Sequence, residues 1–124
     1  MLRLDIPHEA FWVECPYGVR LLCRPLTTAM NHAAMARAAR RLRELGLDGA
    51  DEDIRRGHLV AEVLAALAEL LVVEWQGVGD AAGAAPAPLS PEGLRALMSV
   101  PEIATAFNEG ISAPLARLAA EGNA

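Results

Sequence analysis

Apolar and polar positions alternate through the first quarter of the chain. Phe11, Val13 and Cys15, then Val19, Leu21 and Cys23, take one set of alternate positions, and Trp12, Glu14, Arg20 and Leu22 take the other. A period of two predicts two short strands, Phe11 to Cys15 and Val19 to Cys23, around the loop Pro16-Tyr17-Gly18, with Gly18 where positive φ is needed. Pairing Cys15 with Val19 sets Glu14 opposite Arg20, Val13 opposite Leu21 and Phe11 opposite Cys23. One face is then apolar, and the other carries a cross-strand ion pair. A lone hairpin is marginal in water, so this apolar face must cover helices or pair with another chain.

The period changes after Pro25. With Thr27 or Thr28 as N-cap, a first helix is predicted as far as Leu45, with Met30, Ala34, Ala38, Leu42 and Leu45 on one stripe and Gly46 as its stop. Residues 46–50 make a turn. Asp51, Glu52 and Asp53 then supply acids to the first turn of a second helix, where the helix dipole favours them. Ile54, Val60, Val63, Leu64, Leu67, Leu70 and Leu71 give that helix a wide apolar face and make it the expected spine of the fold. Leu71-Val72-Val73 has strand character, but the length of the run favours continued helix. Residues 77–89, rich in Gly, Ala and Pro with one acid at Asp80, read as a flexible or extended connector. Ser90-Pro91 starts a short helix carrying Leu94, Leu97 and Met98. Pro101-Glu102 starts a last one with Ile103, Phe107, Ile111, Leu115 and Leu118 on one face, and a kink or break is expected near 110–113 because Pro114 lacks a backbone donor. The fold class predicted is α+β, mostly α: an N-terminal β-hairpin packed on a bundle of about four helices. The 124 residues form one domain, divided into a hairpin lead-in (1–26), two longer helices (27–76), a loop (77–89) and two C-terminal helices (90–124).

Charge narrows the function classes. Residues 1–47 carry seven arginines against four acids and residues 48–124 carry four against twelve, for a net charge of −5. An acidic chain without a long basic stripe argues against nucleic acid, whose binding depends on neutralising phosphates. The cluster Arg37, Arg40, Arg41 and Arg43 is accounted for by the C-terminal dipole of its helix and by solvation. The longest apolar stretch, Val63 to Val73, is broken by Glu69 and is too short to span a bilayer, and no export signal opens the chain. A cytoplasmic location is therefore expected.

No arrangement of residues selects a catalytic or metal site, and no cofactor is expected. Cys15 and Cys23 share a face but lie too far apart along the ladder for a disulfide, and they lack the spacing of metal ligands. His8, His32 and His58 fall in three different elements without a metal-binding partner at i+3 or i+4. Asp51, Glu52 and Asp53 fan around their helix. Gly77, Gly79 and Gly83 follow a helix and lack the Lys-Ser/Thr of a phosphate loop. The chain reads as non-enzymatic. Trp75 either plugs the core where the chain turns or anchors an interface, the role in which Trp is over-represented. Trp12 lies on the polar face of the hairpin.

The second half also carries a resemblance. Trp75, Gly77, Val78, Asp80 and Gly83, then Ser90-Pro91-Glu92, Leu97, Pro101 and Phe107, and the closing Ala120-Glu121-Gly122-Asn123 span about the last two-fifths of the chain. In this order they resemble the C-terminal half of the small tail assembly chaperones encoded by long-tailed phages, prophages and phage-like gene transfer agents. Ala81 to Pro88 departs from the family's more acidic turn. The resemblance implies a non-catalytic protein of the bacterial cytoplasm that coats the long tape measure protein and helps bring tail tube protein around it, with homo-oligomers possible. It assigns no catalytic role. Leu64, Leu67, Leu71, Trp75, Phe107 and Ile111 are the positions expected to meet the client. Two other classes stand beside it: a structural virion subunit of head–tail joining or tail terminator type, and a small enzyme or regulator.

Overall fold

The computed structural model describes residues 5–122, with side chains described as far as Pro114. The order of elements is strand β1 (Phe11–Glu14), a 3-10 turn (Pro16–Gly18), strand β2 (Arg20–Cys23), helix α1 (Thr28–Glu44), helix α2 (Glu52–Leu71), strand β3 (Val72–Gln76), helix α3 (Pro91–Met98) and helix α4 (Pro101–Gly122). The fold is α+β and mostly helical, as the periodicity predicts.

The hairpin forms in the predicted register. Phe11 pairs with Cys23, Val13 with Leu21 and Glu14 with Arg20, and the Cys15 N–H donates to Val19 O at 2.8 Å. Gly18 takes φ +74° as expected. Tyr17 joins it in the left-handed region at φ +64°, a conformation that costs a non-glycine residue energy. Its hydroxyl donates to Glu102 Oε2 at 3.0 Å, tying the turn to the first turn of α4. The cross-strand ion pair is present, with Arg20 Nε 2.6 Å from Glu14 Oε1.

One strand departs from expectation. The second helix stops at Leu71, and the chain passes directly into β3, which pairs antiparallel with β2 and completes a sheet of order β1-β2-β3. The β-branched pair Val72-Val73 and Trp75 suit a pleated surface, and β2 offers an open edge to receive them. Tertiary pairing therefore outweighs the length argument that favours helix. Gly77 then turns the chain at φ +79°, packed so tightly on the hairpin turn that a Cβ there would fall 2.1 Å from Gly18 O.

The helices begin as their sequences indicate. Thr27 Oγ1 accepts from the Met30 N–H, Asp51 Oδ1 from Asp53 and Ile54, and Ser90 Oγ from Gly93. Helix α4 runs unbroken across Pro114. Proline removes one donor, and the flanking turns suffice to carry the helix past it. The stripe positions Leu115 and Leu118 lie outside the described side chains, and Asn123 lies outside the described residues.

The core lies between the sheet and the helices. Leu21, Cys23, Leu71 and Phe107 are fully buried, and Leu42 and Ile111 nearly so. Ala34 and Ala38 of α1, with Ala65, Ala66 and Ala68 of α2, let those two helices approach closely. Leu45, Ile54 and Val60, assigned to the apolar stripes by periodicity, are exposed instead. Helix α1 packs chiefly against α2, and the sides of the pair turned away from that contact stay open.

Candidate interaction surface

The positions expected to meet a partner separate on folding. Leu67, Leu71, Phe107 and Ile111 belong to the core and offer no surface in this form; they are fixed by the need to cover the apolar hairpin face. Leu64 and Trp75 are half-buried at its margin. Trp75 holds the following segment in place. Its Nε1 donates to Ala87 O at 2.9 Å, and its ring lies so close over Gly93 that a Cβ there would come within 2.6 Å of Cη2. Trp75 thereby links β3, the 77–89 segment and the start of α3, as the core-plug alternative requires.

That segment, expected as a connector, forms a hydrogen-bonded return turn. Ala87 N donates to Val78 O, Asp80 N to Ala85 O, and Asp80 Oδ1 accepts from Ala84 N at 3.0 Å. The lone acid in the stretch is therefore its organising residue.

A groove runs beside β1. Its volume is about 390 Å³, with β1 residues Phe11 to Glu14 along one wall and Ala106, Glu109, Gly110, Ala113 and Pro114 of α4 along the other. Glycine at 110 makes the arrangement possible, since a Cβ there would meet Val13 Cγ1 at 2.3 Å. The helix lies against the strand, and the short side chains at 106, 110 and 113 leave the space beside it open. β1 is also an outer strand of the sheet. In its ladder the backbone groups of Phe11, Val13 and Cys15 turn towards β2, so those of Trp12 and Glu14 turn outwards. Above the edge, the Arg20 guanidinium stacks 4.5 Å from the centroid of the Trp12 ring while it holds Glu14. Glu109 has no ion-pair partner among the described residues.

A second, charged cleft of about 250 Å³ lies between α1, α2 and α3. At its base the buried Glu62 carboxylate accepts from Arg95 Nη1 through both oxygens, each at 2.7 Å. Arg37 approaches Glu69 at 3.9 Å across the same cleft. Arg41 and Arg43 lie in the last turn of α1, as the dipole reading expects, and Arg37, Arg40 and Arg41 also form one wall of a mixed-charge seam. Arg95 lies 33 residues from Glu62, a separation no local spacing rule reaches.

The cysteines are free thiols. Burial, and then the Cys15 thiol, push Cys23 up to about 12; burial and the neighbouring Glu14 raise Cys15. Tyr17 is raised by its hydrogen bond to Glu102 and by the charge on that carboxylate. Among the described residues no group of three or more His, Cys, Asp or Glu side chains is placed to hold a metal ion, and no helix is long and apolar enough to cross a membrane. Compared with family models, curated proteins and solved structures, the chain matches none.

Proposed function

We propose that this protein is a non-catalytic binding protein of the tail-assembly-chaperone type, which shields a long helical client of the tape measure kind and helps recruit tail tube subunits around it in the bacterial cytoplasm. The observation that carries the reading is the open groove beside β1. It pairs an uncovered strand edge with a helix wall of small residues, Ala106, Gly110 and Ala113, and such surfaces take up polypeptide segments by backbone contact and close approach. Net negative charge keeps a protein that handles apolar clients in solution. The resemblance of Trp75 to Asp80, Ser90-Pro91-Glu92 and Phe107 to that family supports the same reading, and in this fold those residues set the turn, cap α3 and fill the core.

The experiment is co-expression with the tape measure protein encoded beside the gene, followed by affinity purification and size exclusion. The expected outcome is a soluble client that co-elutes with several copies of this chain. A client that precipitates while the chain elutes alone would remove the reading. One feature favours a second reading, a ring-forming virion subunit. The outer edges of both β1 and β3 are unpaired among the described residues, so subunits could join edge to edge. That reading requires a closed ring in isolation and persistence in mature particles.

A further inference from the structure

The groove beside β1 has directional chemistry beyond its shape. The N–H and C=O groups of Trp12 and Glu14 point out of the sheet and make no backbone hydrogen bond to any described residue. They repeat at every second residue, as an incoming strand requires. The facing helix wall presents Ala106 and Ala113 on either side of Gly110, which packs on Val13, and these short side chains leave room for a backbone and for small or β-branched side chains. Among the described residues, the titratable groups lining the groove are both acids. Glu14 is already engaged by Arg20 on the opposite face of the sheet from Val13, and Glu109 projects from α4 without an ion-pair partner among the described residues. A carboxylate on the groove wall favours a cationic occupant.

We propose that the β1 edge accepts an extended segment of a partner polypeptide as a fourth strand, one whose side chains on the α4 side are small or β-branched apart from one Lys or Arg. The backbone of the segment pairs with Trp12 and Glu14, one set of its side chains lies beside Ala106 and Ala113, and the basic side chain of that set meets Glu109. The inference rests on the preceding reading only in taking this groove for a binding surface; it adds the conformation and charge of what is bound.

The test uses two fluorescein-labelled octapeptides of alternating valine and threonine, one with lysine and the other with glutamate in place of a central valine, titrated against the intact chain by fluorescence anisotropy. Amide hydrogen exchange is followed in parallel. The lysine peptide is expected to bind saturably, at least about tenfold more tightly than the glutamate peptide, and to slow exchange at the Trp12 and Glu14 amides, which exchange rapidly in the free protein. Glu109→Lys is expected to reverse the preference. Ala113→Phe, which fills the groove from an exposed helix position, is expected to abolish binding of both peptides with an unchanged circular dichroism spectrum. Saturable binding that leaves the Trp12 and Glu14 amides unprotected would overturn the proposal, as would the absence of binding by either peptide. Protection of those amides in the free protein, together with a dimer mass by light scattering, would also overturn it by giving the edge to a second copy. If the peptides fail while the co-expressed client still co-elutes, strand addition is lost and the tail-assembly reading stands.

Discussion

Glycine 77 illustrates how much of this fold depends on single atoms. Its left-handed backbone and the 2.1 Å approach that a Cβ would make to Gly18 O leave no room for any side chain. Gly77→Ala is expected to cost about 2–4 kcal/mol, from the backbone penalty and overpacking together, measured by urea denaturation. Gly110→Ala is the milder counterpart. The new methyl group meets the Val13 side chain and pushes α4 off β1, partly offset by the better helix propensity of alanine, for a net loss of about 1 kcal/mol. Phe107, fully buried, serves the core: Phe107→Ala should cost about 3–5 kcal/mol in the chain alone, before any client is present. The thiols supply a pH test. Because Cys23 is held protonated up to about 12, the unfolded chain ionises it first, near 9. Its contribution to stability is therefore complete below about pH 9 and is lost as pH rises towards 12. Comparing alkaline denaturation of the wild type and Cys23→Ala over that window measures it, and thiol reagents at pH 8 should modify Cys15 well before Cys23.

At the scale of elements, what the sequence makes legible is local chemistry. The hairpin register follows from alternation, the starts of α1, α2 and α3 from Thr27, Asp51 and Ser90, and the α1 stripe from Ala34, Ala38 and Leu42. What it hides depends on partners distant in the chain. β3 exists because β2 has a free edge to receive Val72–Gln76, and the helical pattern that precedes it carries no mark of that edge. The Glu62–Arg95 pair is hidden for the same reason, as is the groove, whose walls lie about a hundred residues apart in the chain. Arg95→Ala should leave the Glu62 carboxylate buried without its partner and loosen α3 from α2. Since Arg95 is partly solvated, the expected cost is about 1–3 kcal/mol, and Glu62→Gln with Arg95→Ala should recover part of it in a double-mutant cycle.

For the molecule as a whole, the core is filled by its own residues, and among the described residues unpaired backbone groups line the outer edges of β1 and β3, the β1 edge facing the groove walled by α4. Four of the six positions expected to contact a client are needed inside, which shifts the proposed binding surface to residues that sequence patterning marks only as ordinary strand and helix: Trp12, Glu14, Ala106, Glu109 and Ala113. Three elements converge there. The hairpin supplies an edge unpaired among the described residues, α4 supplies small residues and an acid without an ion-pair partner among them, and Tyr17 fixes the one to the other through Glu102. The central claim is that partners are taken up along this margin, and hydrogen exchange measured on the chain alone and in complex with the co-expressed client tests it most directly. The account predicts that binding slows exchange in Phe11–Glu14 and in residues 106–114 of α4, and leaves α1 unchanged. Protection confined to α1 and α2, with the β1 edge exchanging as in the free chain, would contradict it.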